Sequence, residues 1–511
     1  MRKGLLMLVS TLFFLSAAVP AGAVDEKEMT TPVTLYKADV RIDPSDKRIT
    51  GSVEIRFWPK DAARAYLHLH PLTFTEEQKG DLWDELLGKH AEPGTYDSNR
   101  ITVQGKPVAV KRTKDVVEVP LGTAKASEPV MLKLDFDMTL PQNEGRMSYD
   151  EHSLWLGNWL PILAVYDHAG WHLDSYEPVG DPFFSENAHY QVNVTLPASY
   201  QLASTATDKA AAVDSSVRGE KTYRLQAMNV RDFAMVVMDA NYHSLENKVG
   251  NTNVRTWYRD GDDEGQATQN HAAAAEAIRY FNTQFGDYPY TEYDVVRTGG
   301  SINGMEYPSI VFLDGRHFMQ EANTGIATVV HETAHQWFYG LIGNNQVEEA
   351  WLDEGFAEYA SLAFLSAKYP RLGANRVLGR LMHGTTVSPD AQEKKLRPWQ
   401  PLRAFPDNES YSALVYSRTT SMLWTLREAW GEERLHEVLR QYAGDHRFGI
   451  ASGAAWKARL SEAAGEDASA FFDYWLNADT SKKDAAAEWL QRQRQNHRNF
   501  GQPMQEDEVE K

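Results

Sequence analysis

His331-Glu332-Thr333-Ala334-His335 and, after a gap of eighteen residues, Glu354 within Trp351-Leu352-Asp353-Glu354-Gly355 decide how this 511-residue chain is read. On a helix, residues four apart share a face one turn from each other, so the two imidazoles can converge on one ion. Glu354 adds a third donor from a second helix beginning near Glu348 and carrying Phe356, Ala357 and Tyr359. A His, His, Glu set that leaves a fourth position for water is the donor pattern of a hydrolytic zinc site. Glu332, one residue past the first histidine, can reach that water. A bare H-E-x-x-H also arises by chance on amphipathic helices, and the second helix separates the two cases. The apolar run Gly325 to Val330 suits a helix, and Gln336-Trp337-Phe338 is expected to continue it. The predicted cofactor is one Zn2+ per chain, held by His331, His335 and Glu354.

Outward from this stretch, the ends and the composition narrow the possibilities. Arg2 and Lys3, the apolar run Leu5 to Val19 and the small residues Ala21-Gly22-Ala23 read as an export signal over residues 1–23, cleaved after Ala23. An uncleaved anchor is the alternative, for which the apolar run is short. No later segment is long and apolar enough to span a bilayer, so no stable membrane insertion is expected after cleavage. The expected location is extracellular or periplasmic. With no cysteine, the chain has no disulfide, thiol catalysis or lipid-modified amino-terminal cysteine, which leaves histidines and carboxylates as metal ligands. A net charge of −19 without a basic patch argues against nucleic acid. A monomer is expected.

Period-two alternation in Tyr36 to Ile42, Gly51 to Trp58 and Tyr190 to Leu196 predicts half-buried antiparallel strands, separated by turns such as Asp43-Pro44. The alternation stops near Asn241 to Asn253, where Glu246 to Asn251 reads as a polar connection. Beyond it the alanine-rich His271 to Phe285 is helical, and helices dominate thereafter. The expected division is a β domain over 24–245, a zinc domain over 250–490 and a polar, disordered tail over 491–511.

With its zinc residues, two-part layout and the flanking strings HETAHQWF and AWLDEGFAEY, the chain resembles the zinc aminopeptidases of peptidase family M1, from about Tyr36 to Leu476. Asn158 to Pro161, Trp171 and Gly180-Asp181-Pro182-Phe183-Phe184 are similar to the compact bacterial members. The large helical repeat domain of longer relatives would need some hundreds more residues, so a more open site is expected. The resemblance implies an antiparallel β-saddle domain followed by a thermolysin-like, mostly helical metallopeptidase domain with a small sheet. It implies peptide substrates with a free amino terminus, and release of amino-terminal residues.

Carried onto this chain, the resemblance assigns the roles. Glu332 is the general base. Tyr416, in Val415-Tyr416-Ser417-Arg418-Thr419, would meet the oxyanion, with Tyr411 as a nearby alternative. Arg418 and Thr419 stand where the family has Lys and Gly. Asn303-Gly304-Met305-Glu306-Tyr307 corresponds to the family's Gly-x-Met-Glu-Asn, so Glu306 would hold the substrate's ammonium, with Gly304 and Met305 beside it in the substrate-binding wall. Asn303 replaces a glycine there. Gln142 is a further candidate for the amine. Glu348, Glu349 and Asp353 are either partners of the zinc imidazoles or a solvated face. A thermolysin-type endopeptidase, or a catalytically silent peptide-binding protein on the same fold, are the alternatives.

Overall fold

The computed structural model describes residues 33–78, 87–88, 90–122, 124–207, 213–214, 219–320, 323–386 and 388–500. The expected signal over 1–23 and the end of the expected tail, 501–511, lie outside these residues.

The β domain is built on an eight-stranded sheet. The alternation read from sequence is its packing: in Leu35–Asp43, Tyr36, Ala38, Val40 and Ile42 face inward, and Val53, Ile55 and Phe57 do so in Arg48–Phe57. These two strands pair antiparallel, but Leu35–Asp43 also pairs with Ala188–Pro197 in parallel, Leu35 opposite His189. The expectation of a purely antiparallel sheet is therefore corrected. Alternation reports which face is buried, and it carries no sign of strand direction. Two four-stranded sheets close the core. One contains Arg64–His68 and Val116–Pro120, the other Ser153–Leu156 and Met235–Met238.

The second unit starts earlier than expected. Tyr242–Val249 is a strand paired with Thr252–Arg259, so the polar stretch read as a linker is the end of a hairpin. Its exposed polar residues alternate at a sheet edge, where one strand side has no neighbour to bury against. The five-stranded sheet continues through Glu292–Thr298 and Ile310–Asp314 in parallel and ends in the short antiparallel strand Gly304–Met305. Helix Glu264–Phe285 crosses between Thr252–Arg259 and Glu292–Thr298. The Asp263 carboxylate accepts from Gln266 N to cap it, and Ala274, Ile278, Phe281 and Phe285 are buried.

At the carboxyl end, helix Lys483–Phe500 runs through the position at which a disordered tail was expected to begin. Ala486, Trp489 and Gln493 recur at helical spacing and are buried, and Gln493 accepts from Trp430 Nε1 at 3.0 Å. Three inward residues were outweighed in the sequence by the charged residues around them. No helix among the described residues is long and apolar enough to cross a membrane.

Candidate active site

The helix Asn323–Ala334 delivers His331 and Glu332 to the cleft between the two units. It does not continue through Phe338 as expected. After Ala334 the chain opens into wide turns in which Gly340, Leu341 and Ile342 N–H groups bond five residues back. That widening frees the Phe338 carbonyl, which lies 3.0 Å from His335 Nδ1. Nδ1–H donates there, so the His335 Nε2 lone pair faces the cleft.

Glu354 opens the helix Glu354–Lys368, and its Oε2 is 3.2 Å from His331 Nε2 and 3.1 Å from His335 Nε2. The two Nε2 atoms are 3.1 Å apart. Ligand bonds of about 2.0–2.1 Å in a tetrahedral zinc site separate neighbouring ligand atoms by roughly 3.3 Å. The triad thus has the edge lengths of a zinc face. One turn along the same helix, Glu358 Oε2 lies 3.0 Å from His331 Nδ1, while Arg380 Nε donates to Glu358 Oε1 at 2.7 Å. Glu358 is the carboxylate paired with the imidazole's second nitrogen, the place that sequence reasoning had offered to Glu348, Glu349 or Asp353. The i,i+4 spacing from Glu354 was the available signal.

Those three acids are engaged elsewhere. Glu348 accepts from Arg403 at 3.0 Å, Glu349 from Gly453 N at 3.1 Å, and Asp353 from Asn344 Nδ2 at 2.9 Å and Gln346 Nε2 at 2.5 Å.

The cavity in front of the triad encloses about 500 Å³ and is lined by Glu306, Glu332, Asp181, Arg146, Tyr411 and Tyr416, among others. Its electrostatics are dominated by crowded carboxylates. Burial pushes Glu332 up to about 8, His331 opposing and Glu306 adding to the shift. Burial and the neighbouring Asp181 raise Glu306 to about 7. Asp181 is likewise carried to about 7 by burial, against the pull of Arg146. Burial alone would depress His331, but Glu354 and Glu358 outweigh it and carry the ring to about 9. The pocket sets Asp181, Glu306, Glu332, Glu354 and Glu358 beside Arg146, Arg376, Arg380 and the two imidazoles, and burial is the first cause of the rise in Glu332, Glu306 and Asp181. It is suited to a divalent ion and an ammonium.

Gly304 explains how Glu332 and Glu306 share this space. A Cβ at position 304 would fall 2.0 Å from Glu332 Oε1, so only glycine lets the strand pass the base. The preceding Asn303 has φ 66°, in the left-handed region that asparagine tolerates best after glycine. Its backbone N–H donates to Asp314 Oδ2 at 3.0 Å, and its Oδ1 is 2.9 Å from His317 Nε2. The departure from the family's glycine is absorbed.

Met305 departs from expectation. Along a strand, side chains alternate, and with Gly304 facing the cleft Met305 turns away, buried beside Trp155 and Phe312. Its Sδ accepts from Arg146 Nε at 3.0 Å. Gln142 is exposed and lines nothing; its neighbour in sequence, Arg146, reaches the cleft instead, ion-paired with Asp181 and donating to Gly180 O at 3.0 Å. Neither Arg146 nor Asp181 was singled out in sequence as a site residue, although Asp181 falls within a stretch that carries the resemblance.

Tyr416 sits on a π-helical segment, Ser412–Arg418, a widened turn of the kind found at functional sites. Its ring stacks on His331 at 5.7 Å and 23°. Burial, with Glu354 next, drives its hydroxyl well above the ordinary range, so it keeps its proton and is a donor. Tyr411 also lines the cavity, edge-on to Tyr416 at 5.8 Å. Arg418 points away: fully buried, it donates to Trp475 O at 2.8 Å and Tyr474 O at 2.6 Å, tying the π-helical segment to the helix Ser469–Leu476. Thr419 packs on Gly355, where a Cβ would meet Thr419 Cγ2 at 2.3 Å.

Residues 270–475, which contain every zinc-site residue, match the peptidase family M1 domain. The match falls on the helical unit. Aminopeptidase 2 of Candida albicans is 31% identical to this chain over 261 residues, which are 47% of this chain and 27% of that protein. The alanine/arginine aminopeptidase of Saccharomyces cerevisiae is 28% identical over 261 residues, 47% of this chain and 29% of the relative. The chain therefore spans little more than a quarter of the length of the curated relatives it matches. The fold as a whole is similar to solved two-domain M1 structures. The M1 zinc metallopeptidase of Deinococcus radiodurans has a TM-score of 0.63 at 20% identity, covering 87% of this chain and 94% of that one. A mutant of that enzyme bound to a Tyr-Ser-Ala substrate has the same TM-score at 19% identity, with the same coverage of both chains. In this M1 fold the β domain faces the cleft with Asp181 and Arg146, and the helical domain faces it with the metal triad, Glu306, Glu332 and Tyr416.

Proposed function

We propose that this chain is an exported zinc aminopeptidase that releases amino-terminal residues from peptides. The observation that carries the reading is the placement of Glu306. Its carboxylate lies within 4.8 Å of ligand atoms of both Asp181 and Glu354, so an anion cluster adjoins the metal triad directly. A peptide whose ammonium is held there has its first peptide bond, and no later one, beside the metal.

Zinc held by His331, His335 and Glu354 would acidify a coordinated water and polarise the scissile carbonyl. Glu306 and Asp181 accept charge-assisted hydrogen bonds from the ammonium and fix the peptide's register. Glu332 accepts a proton from the attacking water and returns it to the leaving amine; cations introduced beside it pull its carboxyl down from about 8 toward the operating range. The Tyr416 hydroxyl donates to the carbonyl oxygen as negative charge develops there. Glu358 and the Phe338 carbonyl keep the two imidazoles in the ligating tautomer. Export rests on residues 1–23 alone, and places the activity in the periplasm or outside the cell.

The test is a panel of aminoacyl fluorogenic substrates, with and without chelator, run beside amine-blocked versions. Chelator-sensitive turnover of the free-amine substrates and none of the blocked ones is expected. Equal turnover of blocked peptides would replace the reading with an endopeptidase. No turnover of either set by zinc-loaded protein would leave a silent binding protein.

A further inference from the structure

Separate from the M1 triad, the β domain gathers a second set of metal-ligating side chains. His68 ends the strand Arg64–His68, His70 begins the 3-10 helix His70–Phe74, and Asp115 occupies the turn before Val116–Pro120. The backbone holds them together: Leu69 N donates to Asp115 O at 2.7 Å. All three side chains are buried, with relative exposures of 7%, 5% and 2%. One ligand atom from each lies within 4.8 Å of the other two.

Their hydrogen bonding is incomplete in a way that points inward. His68 Nε2 lies 3.2 Å from the His172 carbonyl oxygen, so Nε2–H donates there and Nδ1 keeps its lone pair. That Nδ1, together with His70 Nδ1 and Asp115 Oδ2, has no hydrogen-bond partner among the described residues. His70 Nδ1 and Asp115 Oδ2 stand 3.3 Å apart without hydrogen-bond alignment, the separation of two ligands on one tetrahedral ion. Orphaned buried polar atoms are costly, and aromatic rings pack on the cluster at His70, with Phe183 and Tyr176 edge-on to it at 5.2 and 6.4 Å. Burial holds the His68 ring down at about 4, so it is a neutral donor.

We infer that His68, His70 and Asp115 form a structural site for a divalent transition metal, with Zn2+ suited to the two-imidazole, one-carboxylate set. Such an ion pins the end of one strand to the turn of the neighbouring hairpin. It raises the expected zinc content from one to two per chain.

The test uses the full chain with the M1 site silenced by His331→Ala and His335→Ala, loaded with Zn2+ and desalted before metal analysis. One zinc per chain is expected to remain, and Zn2+ is expected to raise its Tm. Adding Asp115→Asn or His70→Asn should take the content to zero and abolish that rise. Absence of bound zinc in the folded silenced chain, judged by its near-ultraviolet circular dichroism, overturns the inference. Should the silenced chain fail to fold, the count in the unmodified chain decides. Two zinc ions falling to one in His70→Asn, with peptidase turnover retained, supports the site, and a count of one in both overturns it.

Discussion

Two groups of acidic residues flank the metal triad, and they differ in what meets them. In front, Glu306, Glu332 and Asp181 crowd the cavity with Glu354, and the cations lining it are Arg146, paired with Asp181, Arg380, paired with Glu358, Arg376 and the imidazoles. Behind, Glu348, Glu349 and Asp353 each have a donor of their own in Arg403, Gly453 N and the Asn344 and Gln346 amides. Glu332 and the rear group look alike in sequence, as carboxylates within or just after H-E-x-x-H, whereas Glu306 and Asp181 come from farther away in the chain. The difference teaches that function resides where negative charge is left to be answered from outside, and structure where the fold answers it. Substitutions that neutralise single acids on each side test the distinction.

The largest effect is expected at Glu332. Glu332→Gln keeps its shape and the zinc but loses the proton acceptor, and kcat should fall by roughly 10²–10⁴-fold with zinc content unchanged by metal analysis. A comparable turnover in this variant would move the base elsewhere. Next is Glu358→Gln, which leaves the ligands in place but weakens the hold on His331 Nδ1. Zinc affinity should drop about 10–100-fold in a chelator competition, with activity restored by excess zinc. Unchanged affinity would mean that Glu358 serves only to pair with Arg380. Glu306→Gln should cost roughly 1.5–3 kcal/mol of charge-assisted binding, read as a rise in KM and reduced discrimination against amine-blocked peptides. Asp181→Asn should act in the same direction and less, because Arg146 already engages that carboxylate.

How much of this was legible in the sequence follows from distance along the chain. His331, Glu332, His335 and Glu354 lie within 24 residues and obey helical geometry, so their convergence could be derived before any fold was known. Glu358 was equally local and was overlooked because acids nearer the motif drew the reading. Asp181 and Arg146 sit 35 residues apart in the β domain, and their meeting at the cleft depends on how two units pack, which no local period encodes. Met305 was misplaced for a different reason: the motif was read as a string, whereas in a strand its side chain must face opposite to Gly304. The all-β half was visible in alternation, and the parallel pairing of Leu35–Asp43 with Ala188–Pro197 was not, since the partner lies some 150 residues away.

The smallest effect, and the one that bears most directly on the rear group, is expected at Glu349. Burial raises its carboxyl to about 7, the Gly453 N–H opposing and Glu348 adding. An acid whose folded pKa lies above its unfolded value binds its proton more tightly in the native state. Its ionisation therefore disfavours the fold. Stability linked to this group is fully present below about 4.5, the ordinary value, and is lost as pH rises through about 7. Glu349→Gln keeps an oxygen to accept the Gly453 N–H and removes the titration. The variant should match the parent in Tm at low pH and exceed it above pH 7, with zinc content and turnover unchanged. A loss of activity in this variant would place Glu349 with the carboxylates in front and dissolve the distinction between the two groups.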